Sequence, residues 1–193
     1  MKSNVLIYLH GFNSSPQSQK AIKMRDFIAR QYPDTILEMP QIALTPQAAW
    51  QQICQISAQY PDQKIGFVGS SLGGFFATLL ANKFDAKAVL INPAVKPHLI
   101  GDVILGQHTH PVSGEVYRVG QSDLDELANL DWTRVQQPSN FWVLLQQGDE
   151  TLDYQLANNA YQGARITLEP GGDHGFCGFE RYLNAIVEFL FEN

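Results

Sequence analysis

The 193 residues are 45% hydrophobic and 17% charged, a balance that suits one globular core of ordinary domain size, so a single domain over residues 1–193 is expected. A net charge of −6 with no Lys/Arg cluster excludes nucleic acid as a partner, because binding to a phosphate backbone rests on neutralising basic side chains. No apolar run nears the roughly 20 residues that span a bilayer, and Cys54 and Cys177 show neither paired nor zinc-finger spacing, so a cytoplasmic chain with reduced thiols and no membrane partner is expected.

Val5-Leu6-Ile7-Tyr8-Leu9 is too short for a signal-peptide core and runs straight into His10-Gly11, so residues 4–9 read as a buried first strand. In 16–32, Met24, Phe27, Ile28 and Tyr32 fall at helical spacing, with Pro16 near the start, where a missing N–H costs nothing. A second strand follows at 35–39. Thr45-Pro46, an N-cap with proline at the first helical position, then opens an amphipathic helix carrying Trp50, Ile53, Cys54 and Ser57. Further β-branched, apolar runs stand at 64–69, 87–91, 141–146 and 165–168. A helical run covers Phe75 to Phe84, and a closing helix carries Phe179, Leu183, Ile186, Val187 and Leu190 on one stripe. Strands alternating with helices of this length predict an α/β fold: a mostly parallel sheet with helices on both faces, and reactive residues in loops at the carboxyl ends of the strands.

The alternation lapses between about 93 and 138, in a stretch with four glycines, three histidines, a short extended pair near 115–119 and an acidic helical piece from Ser122 to Leu130. A structureless loop of that length is unusual in a compact domain. The stretch reads as a small cap inserted over the strand ends; the alternative is one more helical crossover that touches no ligand.

After Ile65-Gly66-Phe67-Val68 comes Gly69-Ser70-Ser71-Leu72-Gly73-Gly74, then a helix. This is a Gly-x-Ser-x-Gly elbow in a strand-turn-helix context. A turn tight enough to lift a serine oxygen out of the sheet brings strand and helix backbones together, so the positions two residues either side must be small, and Gly69 and Gly73 are. Ser70 lacks that symmetric pair and is a neighbour, so Ser71 is the expected nucleophile. A serine hydroxyl needs an adjacent base, held in turn by a third group. His174 is the expected base, in the glycine-flanked loop Gly171-Gly172-Asp173-His174-Gly175 after the strand-like Ile166 to Leu168. Asp149 heads the candidates for the acid as the first carboxylate past Phe141 to Leu145. Asp153 serves if the turn is longer, Glu150 is expected to point away, and Asp173 reads as a solvated loop acid. The order Ser, Asp, His is that of α/β-hydrolases.

Backbone N–H groups are expected to hold the oxygen on which charge develops: that of Leu72, after the nucleophile, and that of Phe12, after the turn at Gly11. His10 is expected to brace that loop. His108-Thr109-His110 brings alternate histidines together, but no third ligand lies close in sequence, and a serine mechanism needs no ion, so no metal is expected. No phosphate-binding loop or dinucleotide fingerprint is present, and no cofactor is expected.

Taken together, Tyr8 to Pro16, Gly69 to Gly74, Asn92-Pro93-Ala94, Gly148-Asp149-Glu150 with Leu152-Asp153-Tyr154, and Gly172-Asp173-His174 resemble the YqiA-type bacterial esterases of the α/β-hydrolase superfamily. The resemblance spans nearly the whole chain. It implies Ser71 as nucleophile, Asp149 as acid and His174 as base of a cytoplasmic esterase or thioesterase, acting without metal or cofactor on small carboxylic or acyl-CoA esters. Nothing in the sequence specifies an oligomeric state. The alternatives are a non-catalytic interaction protein on the same fold, and a peptidase or carbon-carbon bond hydrolase using the same trio.

Overall fold

All five residues of strand β1 (Val5–Leu9) are buried, with Val5, Ile7 and Leu9 in one apolar cluster and Leu6 and Tyr8 in another. A strand that is apolar on both sides has to lie inside a sheet covered on both faces. The computed structural model describes residues 3–130 and 135–192. In chain order β1 is followed by α1 (Gln19–Gln31), β2 (Ile36–Glu38), α2 (Pro46–Ser57), β3 (Ile65–Ser70), α3 (Leu72–Phe84) and β4 (Lys87–Ile91). Then come α4 (Gly101–Ile104), β5 (Gly106–Thr109), β6 (Val116–Val119), α5 (Gln121–Leu130), β7 (Phe141–Gln146), α6 (Tyr154–Ala160), β8 (Arg165–Glu169) and α7 (Leu183–Phe191).

Six strands form one sheet in the order β2-β1-β3-β4-β7-β8, and each neighbouring pair in it is parallel. One face is covered by α1, through Ala21, Met24 and Ile28, and by α7, through Leu183, Ile186, Val187 and Leu190. On the other lie α2, through Ala49 and Ile53, α3, through Phe75, Phe76 and Leu80, and α5, through Leu124 and Leu127. Each Leu, Ile, Val, Met or Phe side chain among these adds about 1.5–3 kcal/mol when fully buried. The chain leaves β1 for β2 on one side and returns to β3 on the other, so the strand order reverses between β1 and β3. Ligands of open α/β sheets settle in the crevice at such a reversal. Leu9 pairs with Gly69 there, so the loop after β1 and the bend after β3 leave the sheet side by side.

Two expected helix starts move. Helix α1 begins at Gln19 with Ser18 as its N-cap. Pro16 belongs to a preceding turn in which Ser15 accepts from the amides of Ser18, through its carbonyl, and Gln17, through Oγ, both at 3.1 Å. Helix α3 begins at Leu72 rather than Phe75, which puts Gly73 and Gly74 inside its first turn. The extended pair expected near 115–119 is one strand, β6, whose antiparallel partner β5 lies upstream, with Gly106 opposite Val119. The stretch 93–138 therefore holds a hairpin separate from the main sheet as well as the core-packed helix α5; its residues 131–134 lie outside the described residues.

Candidate active site

Ser71 takes φ 55 and ψ −123 at the bend between β3 and α3, a conformation that costs a side-chain-bearing residue about 1–3 kcal/mol. The surroundings hold it there: its N–H donates to the Ile91 carbonyl at 3.0 Å, and its own carbonyl accepts from Gly74 at 2.9 Å and Ala94 at 3.0 Å. The glycines are obligatory for the reason the elbow pattern suggests. A Cβ at Gly69 would stand 2.2 Å from the Gly73 carbonyl oxygen, and one at Gly73 would stand 2.1 Å from that of Leu9. From the loop after β1, Gly11 approaches so closely that a Cβ on it would sit 3.0 Å from Ser71 Cβ and 3.6 Å from Oγ.

The loop after β8 brings His174 Nε2 to 3.0 Å from Ser71 Oγ. On the far side of the ring, Nδ1 lies 2.9 Å from Asp149 Oδ1 and 2.8 Å from Oδ2. Asp149 follows β7, and its side chain is only 2% exposed. Its Oδ1 also accepts from the amides of Thr151 at 2.9 Å and Leu152 at 2.8 Å. Burial works to raise the Asp149 pKa, but the hydrogen bonds from His174, Leu152 and Thr151 outweigh it and hold the carboxyl below its ordinary value. A carboxylate orients the imidazole by accepting its Nδ1 proton, which leaves Nε2 free to accept from the serine.

The other acids fall elsewhere. Asp153 caps α6, accepting from the Gln155 amide at 2.9 Å. Glu150 does not point away: its Oε2 accepts from the backbone N–H of His174 at 3.0 Å, since the loops after β7 and β8 run side by side. Asp173 is not a solvated acid. Its Oδ2 lies 3.1 Å from Cys177 Sγ, which donates to it, and its Oδ1 is buried without a partner among the described residues.

The amides of Phe12 and Leu72 donate to no described residue. His10 is 5% exposed. Its Nδ1 donates to the Gly11 carbonyl at 2.9 Å, and its Nε2 accepts from the Ile42 amide at 3.0 Å. Burial pushes its pKa down, in keeping with a neutral ring that ties the loop after β1 to residues 41–42. His108 lies edge-on to Phe12 with ring centroids 4.8 Å apart, and its Nε2 is 2.8 Å from the Ile104 carbonyl. The Nδ1 of His110 takes the amide of Ser113 at 3.0 Å. Among the described residues no group of three or more His, Cys, Asp or Glu side chains could hold a metal ion, and no helix is long and apolar enough to cross a membrane.

Two residues that pattern reading leaves without a role hold the His174 loop. Asn92, buried with φ 40, donates through Nδ2 to the carbonyls of Asp173 at 3.0 Å and His174 at 3.3 Å, and accepts from the Gln146 amide at 3.0 Å. Gln146, also buried, accepts through Oε1 from the amides of Asp173 at 3.1 Å and Cys177 at 2.9 Å. Through Nε2 it donates to Glu169 at 2.7 Å and to the Cys177 carbonyl at 2.8 Å. Gly172, at φ 78, fits over it because a Cβ there would lie 2.0 Å from Oε1. A buried polar side chain at the end of an apolar strand has to find partners; Gln146 is the last residue of β7 and Asn92 the first after β4. Asn92→Ala strips the buried Gln146 amide and the His174 carbonyl of a partner and leaves the Asp173 carbonyl only the Phe176 amide, so it is expected to lower unfolding free energy by about 3 kcal/mol. The readout is a lower urea midpoint at unchanged slope.

Residues 5–191 match the model of an uncharacterised protein family, UPF0227. Among solved structures, the fold is similar to that of a candidate hydrolase from Agrobacterium vitis S4, with a TM-score of 0.75 at 18% identity over 97% of this chain and 88% of that one. It is also similar to alpha/beta hydrolase domain-containing protein 10 from mouse, with a TM-score of 0.73 at 16% identity over 99% and 90% of the two chains. The esterase domain of a Rhodothermus marinus protein gives 0.65 at 18% identity over 96% and 85%. At such identities the likeness is one of fold, and the fold is that of the α/β-hydrolases.

Proposed function

Because the chain belongs to UPF0227, the YqiA family, and has the α/β-hydrolase fold, we propose that it is a cytoplasmic serine hydrolase that cleaves small carboxylic esters or thioesters, acyl-CoA esters among them. The observation that carries the proposal is the continuous hydrogen-bonded line from Ser71 Oγ through both ring nitrogens of His174 to Asp149, at 3.0 and 2.8 Å. In the first step Ser71 Oγ attacks the carbonyl carbon while His174 Nε2 takes its proton, and the oxygen that gains charge is held by the amides of Phe12 and Leu72. The tetrahedral adduct then collapses: the bond to the leaving group breaks, and His174 hands its proton to the departing alcohol or thiol. Water, deprotonated by the same imidazole, attacks the acyl-serine, and the acid leaves with Ser71 reprotonated. Asp149 stays ionised throughout and stabilises the imidazolium.

Residues 93–138 act as the cap of this single domain. Their hairpin joins the oxyanion loop through the Phe12, His108 and Tyr117 rings, whose centroids lie 4.8 to 6.5 Å apart. The free thiols of Cys54 and Cys177 suit a reducing compartment.

A fluorophosphonate probe tests the assignment. The protein is expected to take one phosphonyl group, mapped by peptide mass spectrometry to Ser71, and Ser71→Ala is expected to take none. A folded wild-type chain that stays unlabelled would instead be a binding module on a hydrolase body.

A further inference from the structure

Resting on the hydrolase assignment, we infer that Lys20 is a positioning residue for the reaction: from α1 it clamps the His174 loop, and its positive charge sets how far down the pH scale the imidazole still serves as a base. Local structure gives no reason for a cation at this position. Lys20 is the second residue of α1, at the end of a helix where the backbone dipole favours negative charge, and no acidic side chain stands in that turn. Its partner lies far along the chain. Nζ donates to the Gly175 carbonyl at 2.7 Å, across 155 residues, and that carbonyl takes no backbone amide among the described residues. The clamp therefore grips the loop one residue past the base.

Carboxylates approach His174 from three directions. Asp149 lies behind the ring at Nδ1, and Glu150 accepts from the His174 amide. Asp173 precedes the histidine in the chain, with Oδ1 buried and without a hydrogen-bond partner among the described residues. The other charged groups nearby are committed: Lys23 to Glu180 at 2.7 Å, and Arg181 to Glu169 at 2.9 Å. The Cys177 thiol donates to Asp173. Lys20 stands half-buried beside this group. Burial pushes its pKa down while the charges of Asp173 and Asp149 push it up, so the ammonium feels the acids on both sides of the base. An ammonium drawn partly out of water needs compensation, and the Asp173 carboxylate needs a counter-charge. Each meets the need of the other.

Nearby carboxylates favour the imidazolium, and a nearby cation favours the neutral ring that can accept the proton of Ser71. Removing the charge of Lys20 tips the balance toward the protonated ring. The acid limb of kcat/KM, which reports the base of the free enzyme, then moves to higher pH.

Profiles of kcat and kcat/KM against pH for p-nitrophenyl butanoate test this on the intact protein. Lys20→Met keeps the hydrocarbon stem and removes the charge. It is expected to move the acid limb up by about 0.5 pH unit, the order of effect of one charge several ångströms from a partly exposed site. Loss of the clamp is expected to lower kcat on the plateau about fivefold, with KM within about twofold of wild type. Lys20→Arg keeps both charge and donor, and its limb is expected to stay within about 0.2 unit of wild type. Lys23→Met, one turn along α1, removes a surface ion pair and is expected to leave the profile unchanged. Lys20→Gln gives the same reading as Lys20→Met if the latter does not fold. An unmoved acid limb or an undiminished plateau kcat, in a folded Met or Gln variant that still takes the fluorophosphonate at Ser71, overturns the role of Lys20 and leaves the hydrolase assignment standing. An equal movement of the limb in Lys20→Arg or Lys23→Met overturns it as well. Failure of the wild type to take the probe or to cleave the ester overturns both readings.

Discussion

Replacing Ser71 with alanine is expected to lower kcat for p-nitrophenyl butanoate by about 10⁴- to 10⁶-fold, with the urea midpoint little changed. The size of the loss follows from cooperation. Without Oγ, His174 and Asp149 have no nucleophile to activate, and what remains is binding plus whatever the Phe12 and Leu72 amides do for direct attack by water. The second half of the expectation comes from the backbone. At φ 55 alanine meets the same strain as serine, because both carry a Cβ, so the variant keeps its fold and its inactivity reads on chemistry alone. Ser71→Gly sharpens the test. It is expected to be as inactive yet more stable by about 1 kcal/mol, since glycine tolerates positive φ. Strain released at the very position that abolishes turnover would locate the stored energy at the nucleophile. Residual turnover above about 10% in purified Ser71→Ala would place the nucleophile elsewhere and remove the basis of the hydrolase assignment.

What could be read before folding was whatever is encoded over a few neighbouring residues. Val5–Leu9 read as a buried first strand and the alternation of strands with helices called for a covered, mostly parallel sheet, and β1 lies inside one. The elbow was legible because its glycines answer a local steric demand, now visible as approaches of 2.1 and 2.2 Å to backbone oxygens. Features set by pairing across the chain were not legible. Gly106–Thr109 contains only polar residues and glycine, so it carries no apolar alternation and becomes a strand through its ladder with β6. The contact of Glu150 with the His174 amide spans 24 residues and depends on β7 and β8 ending side by side. Asn92 and Gln146 left one faint signal, a polar side chain closing an otherwise buried strand. Only the folded geometry shows that both reach the His174 loop.

The choice among acids yields the second large effect. Asp149→Asn is expected to lower kcat by about 10⁴-fold, whereas Asp153→Asn is expected to stay within about twofold of wild type, because asparagine caps a helix as well as aspartate does. The asymmetry follows from how Asp149 is held. Its Oδ1 takes two backbone amides, from Thr151 and Leu152, and those donors require an acceptor. An asparagine at 149 therefore keeps its carbonyl oxygen there and puts its NH₂ group where Oδ2 now stands, 2.8 Å from His174 Nδ1. That group donates to Nδ1 and drives the ring proton to Nε2, the nitrogen that must accept from Ser71. The hydrogen bond across the ring survives with its polarity reversed, and the base is lost without any movement of the loop. Loss of the negative charge also withdraws support from the imidazolium. Esterase rates of the two purified variants, with urea midpoints to confirm folding, decide the matter. A crippled Asp153→Asn beside an active Asp149→Asn would transfer the role to Asp153 and require the loop after β7 to rearrange before turnover.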